Sequence, residues 1–153
     1  IEKSDFSINK ILNELHALFL PQATAKGLKL ELLNSHEETT IKSDYTKLIQ
    51  ILTNLINNAL KYTEKGKIEF GYENKNDQIL FFVKDTGMGI SKEQQSKVFD
   101  RFYRSDDPRF LIHDGVGLGL SICLGFIEIL NGEIWLESEP GKGTNFYFSL
   151  PRS

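Results

Sequence analysis

The chain has 153 residues, 40% of them hydrophobic and 25% charged, with a net charge of −3. That is enough chain for one domain around one core, and the acidic balance excludes a global basic field aimed at nucleic acid. No run approaches the roughly 18 apolar residues of a membrane-spanning helix, and IEKSDFSINK is no secretory leader.

In chain order, apolar residues at Ile8, Ile11, Leu12, Leu15, Leu18 and Phe19 predict a helix over 8–26, kinked or ended near Pro21 and stopped at Gly27. LKLELL reads as a strand, and TTIK as a short extended piece. Asp44 is suited to cap a helix over 45–62. GKIEFGYE alternates Ile68, Phe70 and Tyr72, so one face is buried. QILFFVKD is apolar almost throughout and belongs in the middle of a sheet. Residues 91–98 read as a short helix and 100–114 as a long functional loop. A buried helix is expected over about 117–131, then a hairpin of GEIWLESE and TNFYFSL around a Pro-Gly-Lys-Gly turn. The expected fold is α/β: a two-layer sandwich with one mixed sheet and helices on one face. The single Cys123 sits in an apolar run and reads as a buried thiol of a reducing compartment.

On the 45–62 helix, Leu48, Leu52, Leu55 and Ala59 form the core face. Asn54, Asn58 and Lys61 share a separate narrow stripe. Asparagine is a mediocre helix former. A solvated face is one explanation for the stripe; oxygen ligands for a hard cation beside a phosphate-binding lysine are another. DTGMGI follows directly on the central strand, and its glycines permit close backbone approach. GVGLGLS opens the buried helix with Gly115, Gly117 and Gly119, where free N–H groups suit phosphates. It is not a dinucleotide fingerprint, and GKGT over 141–144 is not a P-loop but a hairpin turn.

NLINNALKYT, DTGMGI, VFDRFYR, GVGLGLS and GKGT run in the order of the asparagine, first glycine, phenylalanine, second glycine and third glycine boxes of sensor histidine kinases. The resemblance covers roughly residues 5–151 and implies the Bergerat ATP-binding sandwich, with residues 1–153 forming one catalytic domain. It implies ATP and Mg²⁺ as cofactors. Asn58 resembles the metal ligand and Asn54 its polar neighbour. Lys61 resembles a phosphate contact, and Tyr62 a wall of the adenine pocket. Asp85 is similar to the carboxylate that accepts from the adenine amino group. Gly87 and Gly89 would bring backbone close to the nucleotide. Arg104 resembles the lid arginine near the γ-phosphate, with Phe99 and Phe102 anchoring the lid. Gly115, Gly117, Leu118 and Gly119 would wrap the triphosphate, and Thr144 would hydrogen-bond near the base. The lid stretch DDPRFLIHD is the least family-like, and its His113 reads as a solvated loop residue.

The activity so implied is γ-phosphoryl transfer to a histidine on a separate dimerisation domain, within a homodimer that passes the phosphoryl group to a response-regulator receiver domain. That acceptor is expected upstream, in a longer protein of which this chain is a piece. The domain is expected to be cytoplasmic, with no contact to membrane or nucleic acid; an inner-membrane sensor is one form its parent could take, and the sequence leaves open whether the parent is membrane-bound. His16, in HALFLP, mimics an acceptor motif such as H-E-L-R-T-P. However, Ala17 stands where an acidic base is needed, so a helix-surface histidine is expected. Three other readings share the fold. A gyrase-type hydrolase needs a glutamate where Asn54 stands, and an amide takes no proton at neutral pH. A serine kinase of the anti-sigma type needs a serine-bearing partner, and a pseudokinase would only dock.

Overall fold

The computed structural model describes residues 1–33, 37–98 and 116–153, with 116–119 by backbone alone. The elements are β1 (Lys3–Ser7), α1 (Ile8–Ala25), β2 (Lys29–Leu33), β3 (Thr40–Asp44), α2 (Tyr45–Tyr62), β4 (Lys67–Asn74), β5 (Gln78–Asp85), the short α3 (Lys92–Gln95), α4 (Val116–Ile129), β6 (Glu133–Glu139) and β7 (Gly143–Pro151). A five-stranded sheet has the order β2-β4-β5-β7-β6, with β2 parallel to β4 and every other pair antiparallel. β5 is central, as its apolar run predicts. The expectation of a single sheet needs correction: β1 and β3 pair separately as an antiparallel ribbon.

One face of the large sheet supplies Phe70, Phe81, Val83, Phe146 and Phe148 to a single core. Phe81 and Phe148 stack there at 4.7 Å across the β5–β7 pair. The opposing layer is α1, α2 and α4, which bury such residues as Leu12 and Phe19, Leu52 and Leu55, and Cys123 and Ile127. Each large apolar side chain buried in this way stabilises by about 1.5–3 kcal/mol relative to exposure. This is the expected two-layer α/β sandwich.

The helix ends follow from local chemistry. Ser7 caps α1 by accepting from Lys10 N at 3.2 Å. Gly27, at φ +74°, closes it: Gly27 N reaches Thr24 O and Leu28 N reaches Ala23 O, both at 2.9 Å. α1 covers nearly the whole window that the 8–26 spacing predicts, and Pro21 does not end it. The carbonyl that loses its partner belongs to Ala17, which is exposed, so water can take the place of the missing N–H. Leu18 departs from expectation, being 66% exposed. It lies at the edge of the apolar arc, beyond the reach of the sheet. Asp44 caps α2, accepting from Lys47 N at 3.1 Å and from Glu2 N at 3.1 Å. The Lys26 ammonium donates to the Leu60 carbonyl near the other end of α2, where a cation complements the helix dipole.

The chain ends are held to β3 as well. Lys42 N donates to Arg152 O, and Arg152 N to Asp77 O, both at 2.9 Å. The short helix expected over 91–98 is confined to α3, and the one expected over 117–131 begins at Val116 and ends at Ile129. The 100–114 loop lies outside the described residues.

Candidate functional site

Asp85 is the last residue of β5, where the central strand leaves the sheet. Its Oδ1 accepts from Gly87 N at 2.9 Å and from Thr144 N at 3.2 Å. Burial pushes the carboxyl up to about 6, against those two backbone donors and the nearby Thr63 hydroxyl, which lower it. Thr63 is fully buried, and its hydroxyl has no partner at hydrogen-bonding geometry among the described residues. With both donors converging on Oδ1, Oδ2 is the oxygen left for an incoming donor.

Three segments converge on this carboxylate. The loop after β5 meets the end of α2 through Met88 N, which donates to Tyr62 O at 3.2 Å. It meets the β6–β7 hairpin through Gly141 N, which donates to Met88 O at 2.7 Å. Gly143, at φ +119°, begins β7, and a Cβ there would lie 2.0 Å from the Asp85 carbonyl oxygen. Glycine at this position lets Thr144 N reach the carboxylate. A Cβ on Gly87 would lie 2.4 Å from Tyr62 O, so this glycine also serves a close backbone approach. Gly89 packs against the Glu139 carbonyl. The GKGT turn is therefore more than a hairpin connection: it brings Gly143 and Thr144 against Asp85.

Ser138 and Gln95 are partners that sequence reasoning missed. Ser138 Oγ accepts from Ile90 N at 2.8 Å, donates to Gly143 O at 2.8 Å and lies 2.9 Å from Thr144 Oγ1. Gln95 Nε2 donates to Ile90 O at 2.8 Å and to Ser138 O at 3.1 Å, tying α3 to the hairpin. The signal for Ser138 was in the alternation of β6: Ile134 and Leu136 face the core, so the next inward position is a serine on an apolar face.

On α2, Asn54 and Asn58 are half-buried, Lys61 is exposed and Tyr62 is buried at the turn toward Asp85. Asn54 hydrogen-bonds Cys123 of α4; burial pushes that thiol up to about 12 against the bond, so it stays protonated and inert. Cys123 Sγ also lies 3.8 Å from Ile51 O. α4 is thus fixed against the asparagine-bearing stretch of α2, one turn beyond Gly119. Gly117, Leu118 and Gly119 lie in the first turn of α4. Phe99, Phe102, Arg104, His113 and Gly115 lie outside the described residues.

Among the described residues no cluster of His, Cys, Asp and Glu could hold a metal. A single amide oxygen such as that of Asn58 suits Mg²⁺, which keeps several waters and takes its remaining ligands from substrate phosphates. His16 is a structural residue. Its Nε2 carries the proton that it donates to Leu30 O at 2.9 Å, and its ring stacks on Phe70.

The family model described as histidine kinase-, DNA gyrase B- and HSP90-like ATPase matches residues 43–153. The sensor protein SrrB of Staphylococcus aureus is 37% identical over 99% of this chain and 26% of its own length. The autoinducer 2 sensor kinase/phosphatase LuxQ of Vibrio vulnificus is 34% identical over 99% of this chain and 18% of its own. The chain therefore spans between 18% and 26% of these relatives. The catalytic domain of histidine kinase ThkA, in a nucleotide-free form, superposes with a TM-score of 0.87 at 30% identity, over 99% of this chain and 97% of that one. Full-length ShkA in complex with AMPPNP gives 0.87 at 30% identity, over 99% of this chain and 32% of that one. ThkA in complex with the response regulator protein TrrA gives 0.81 at 27% identity, over 99% and 42%.

Proposed function

Because this chain belongs to the histidine kinase-, DNA gyrase B- and HSP90-like ATPase family, as the catalytic domain of a two-component sensor kinase, we propose that it binds Mg-ATP and phosphorylates a histidine on a separate dimerisation domain. The observation that carries the reading is the Asp85 carboxyl, buried at the exit of the central strand with one oxygen held by two backbone donors. Its other oxygen accepts from the adenine amino group, and Tyr62 lines the base. Asn58 holds the metal ion beside Asn54, and Lys61 contacts phosphate. The family resemblance assigns Arg104, Gly115, Gly117, Leu118 and Gly119 to the triphosphate.

Phosphoryl transfer is mostly positioning and charge stabilisation. Mg²⁺, which Asn58 would hold, would supply positive charge to offset that of the phosphates. Lys61 and Arg104 add positive charge, and the first turn of α4 offers N–H groups. The imidazole nitrogen of the acceptor bonds to the γ-phosphorus as the bond to the bridging oxygen breaks, releasing ADP. Asn54 offers no carboxylate to activate water, which disfavours the hydrolase reading. The phosphoryl group then passes to a receiver domain, as the ThkA complex with TrrA suggests by analogy. Among the described residues no helix is long and apolar enough to cross a membrane. An inner-membrane sensor parent with this domain in the cytoplasm fits the reading.

Calorimetric titration with a non-hydrolysable ATP analogue, with and without Mg²⁺, tests the assignment. Asn58→Ala should abolish most of the Mg²⁺ dependence; an unchanged dependence would remove Asn58 from the metal site.

A further inference from the structure

Ser138 has one proton and three polar neighbours, and counting protons fixes where each goes. Ile90 N can only donate, so it uses a lone pair of Ser138 Oγ at 2.8 Å. Gly143 O can only accept, so at 2.8 Å it must receive the Ser138 proton. Thr144 Oγ1, at 2.9 Å, therefore meets a second lone pair and must donate its own proton to Ser138. The reverse assignment would leave Ser138 Oγ facing the Gly143 carbonyl at 2.8 Å with no hydrogen between the two oxygens.

We infer that Ser138 is a positioning residue for base selectivity: it locks the Thr144 hydroxyl so that only lone pairs face the nucleotide pocket. The inference rests on the adenine reading of Asp85 proposed above. Thr144 lies directly opposite Asp85 in the β5–β7 register and opposite Ser138 in the β6–β7 register. Its backbone N–H is used on Asp85 Oδ1 and its hydroxyl proton on Ser138. Asp85 and Thr144 together then make an acceptor-only wall. A 6-amino purine, or a water donating onward from it, finds matching acceptors there. A 6-oxo purine brings a lone pair against lone pairs, and Thr144 cannot turn a proton toward it while Ser138 holds that proton. Selectivity thus comes from a serine that need not touch the nucleotide.

The test compares ATP with inosine triphosphate, in which a 6-oxo group replaces the amino group and N1 carries a proton, by equilibrium binding to the domain with Mg²⁺. The wild type should prefer ATP. Ser138→Ala frees the Thr144 hydroxyl to rotate, and the preference should shrink by about fivefold to tenfold, the worth of one hydrogen bond. Ser138→Thr restores a hydroxyl and should restore the preference, and Thr144→Val should make Ser138→Ala silent. Thermal melts report whether each variant is folded; Ser138→Cys, which keeps the side-chain volume with a weaker donor, replaces Ser138→Ala if that variant does not fold. Loss of affinity for both nucleotides in equal proportion, with the preference intact, overturns the inference. Should the wild type itself show no preference, or Asp85→Asn leave the preference unchanged, the adenine reading fails and this inference with it.

Discussion

At the Asp85 carboxylate, stability and the proposed adenine contact pull in opposite directions. A carboxyl whose folded pKa lies above its unfolded value binds more protons when folded. Its stabilising contribution is therefore complete below the ordinary carboxylate value and is lost as pH rises through about 6. Above that, the charged side chain costs the empty domain on the order of 3 kcal/mol. Asp85→Asn keeps an oxygen for Gly87 N and Thr144 N but removes the charge. It should raise the melting temperature of the empty domain at pH 7.5 and flatten its pH dependence between 4 and 7. Adenosine affinity, which avoids the titration of the phosphates, should fall in the wild type as pH drops through about 6 and be weak at every pH in Asp85→Asn, whose amide N–H would face the adenine amino group. A pH-independent wild-type affinity would refute the role. Thr63 carries a second prediction. Its buried hydroxyl has no partner at bonding geometry among the described residues, so Thr63→Val should change stability by no more than about 1 kcal/mol. It should also raise the Asp85 pKa further, because the hydroxyl lowers it; a measured fall by NMR titration would contradict this.

At the level of elements, α1 and β2 are joined by His16, whose Nε2 donates to Leu30 O while the ring covers Phe70. His16→Ala should cost stability, by about 1–2 kcal/mol in denaturant unfolding, yet leave phosphorylation of a supplied acceptor domain unchanged once the protein is folded. Acid-labile label on His16 in the isolated domain would restore it as an acceptor. The same elements show why some structure was legible beforehand. The period of Leu48, Leu52, Leu55 and Ala59 fixes the buried face of α2, and the unbroken apolar run of β5 fixes its central place, because both patterns repeat within one element. β1 was not legible. KSDFS has no apolar alternation, and its hydrogen bonds go to β3, across the whole of α1. Leu18 has the right spacing for burial, but spacing cannot tell where the layer above it ends. Asp85, Gly87 and Thr144 could be picked out in sequence only through the order of motifs. Their convergence depends on the β5–β7 register. Thr63 remained hidden because a lone hydroxyl at a helix cap has no pattern of its own, and Ser138 was marked only by its inward place in the alternation of β6.

For the molecule as a whole, the proposal separates binding from turnover. The isolated domain should bind ATP, hydrolyse it very slowly and not label itself. Incubation with γ-labelled ATP and the separately expressed dimerisation domain of the parent should give acid-labile phosphohistidine on that domain. The rate should be low, since without a covalent link the effective concentration is lost. Acid-stable label would indicate a serine kinase, and rapid phosphate release by the domain alone would indicate a hydrolase. The bonds from Glu2 to Asp44 and from Lys42 to Arg152 bring both chain ends to β3, beside the start of α2. The Asp85 pocket lies by Tyr62, at the other end of that helix. Eighteen residues of helix span about 27 Å. A handle at either end therefore leaves the pocket clear. On a sensor chip or bead the domain would be held by its far end, with the Asp85 carboxylate and the β6–β7 hairpin clear of the support.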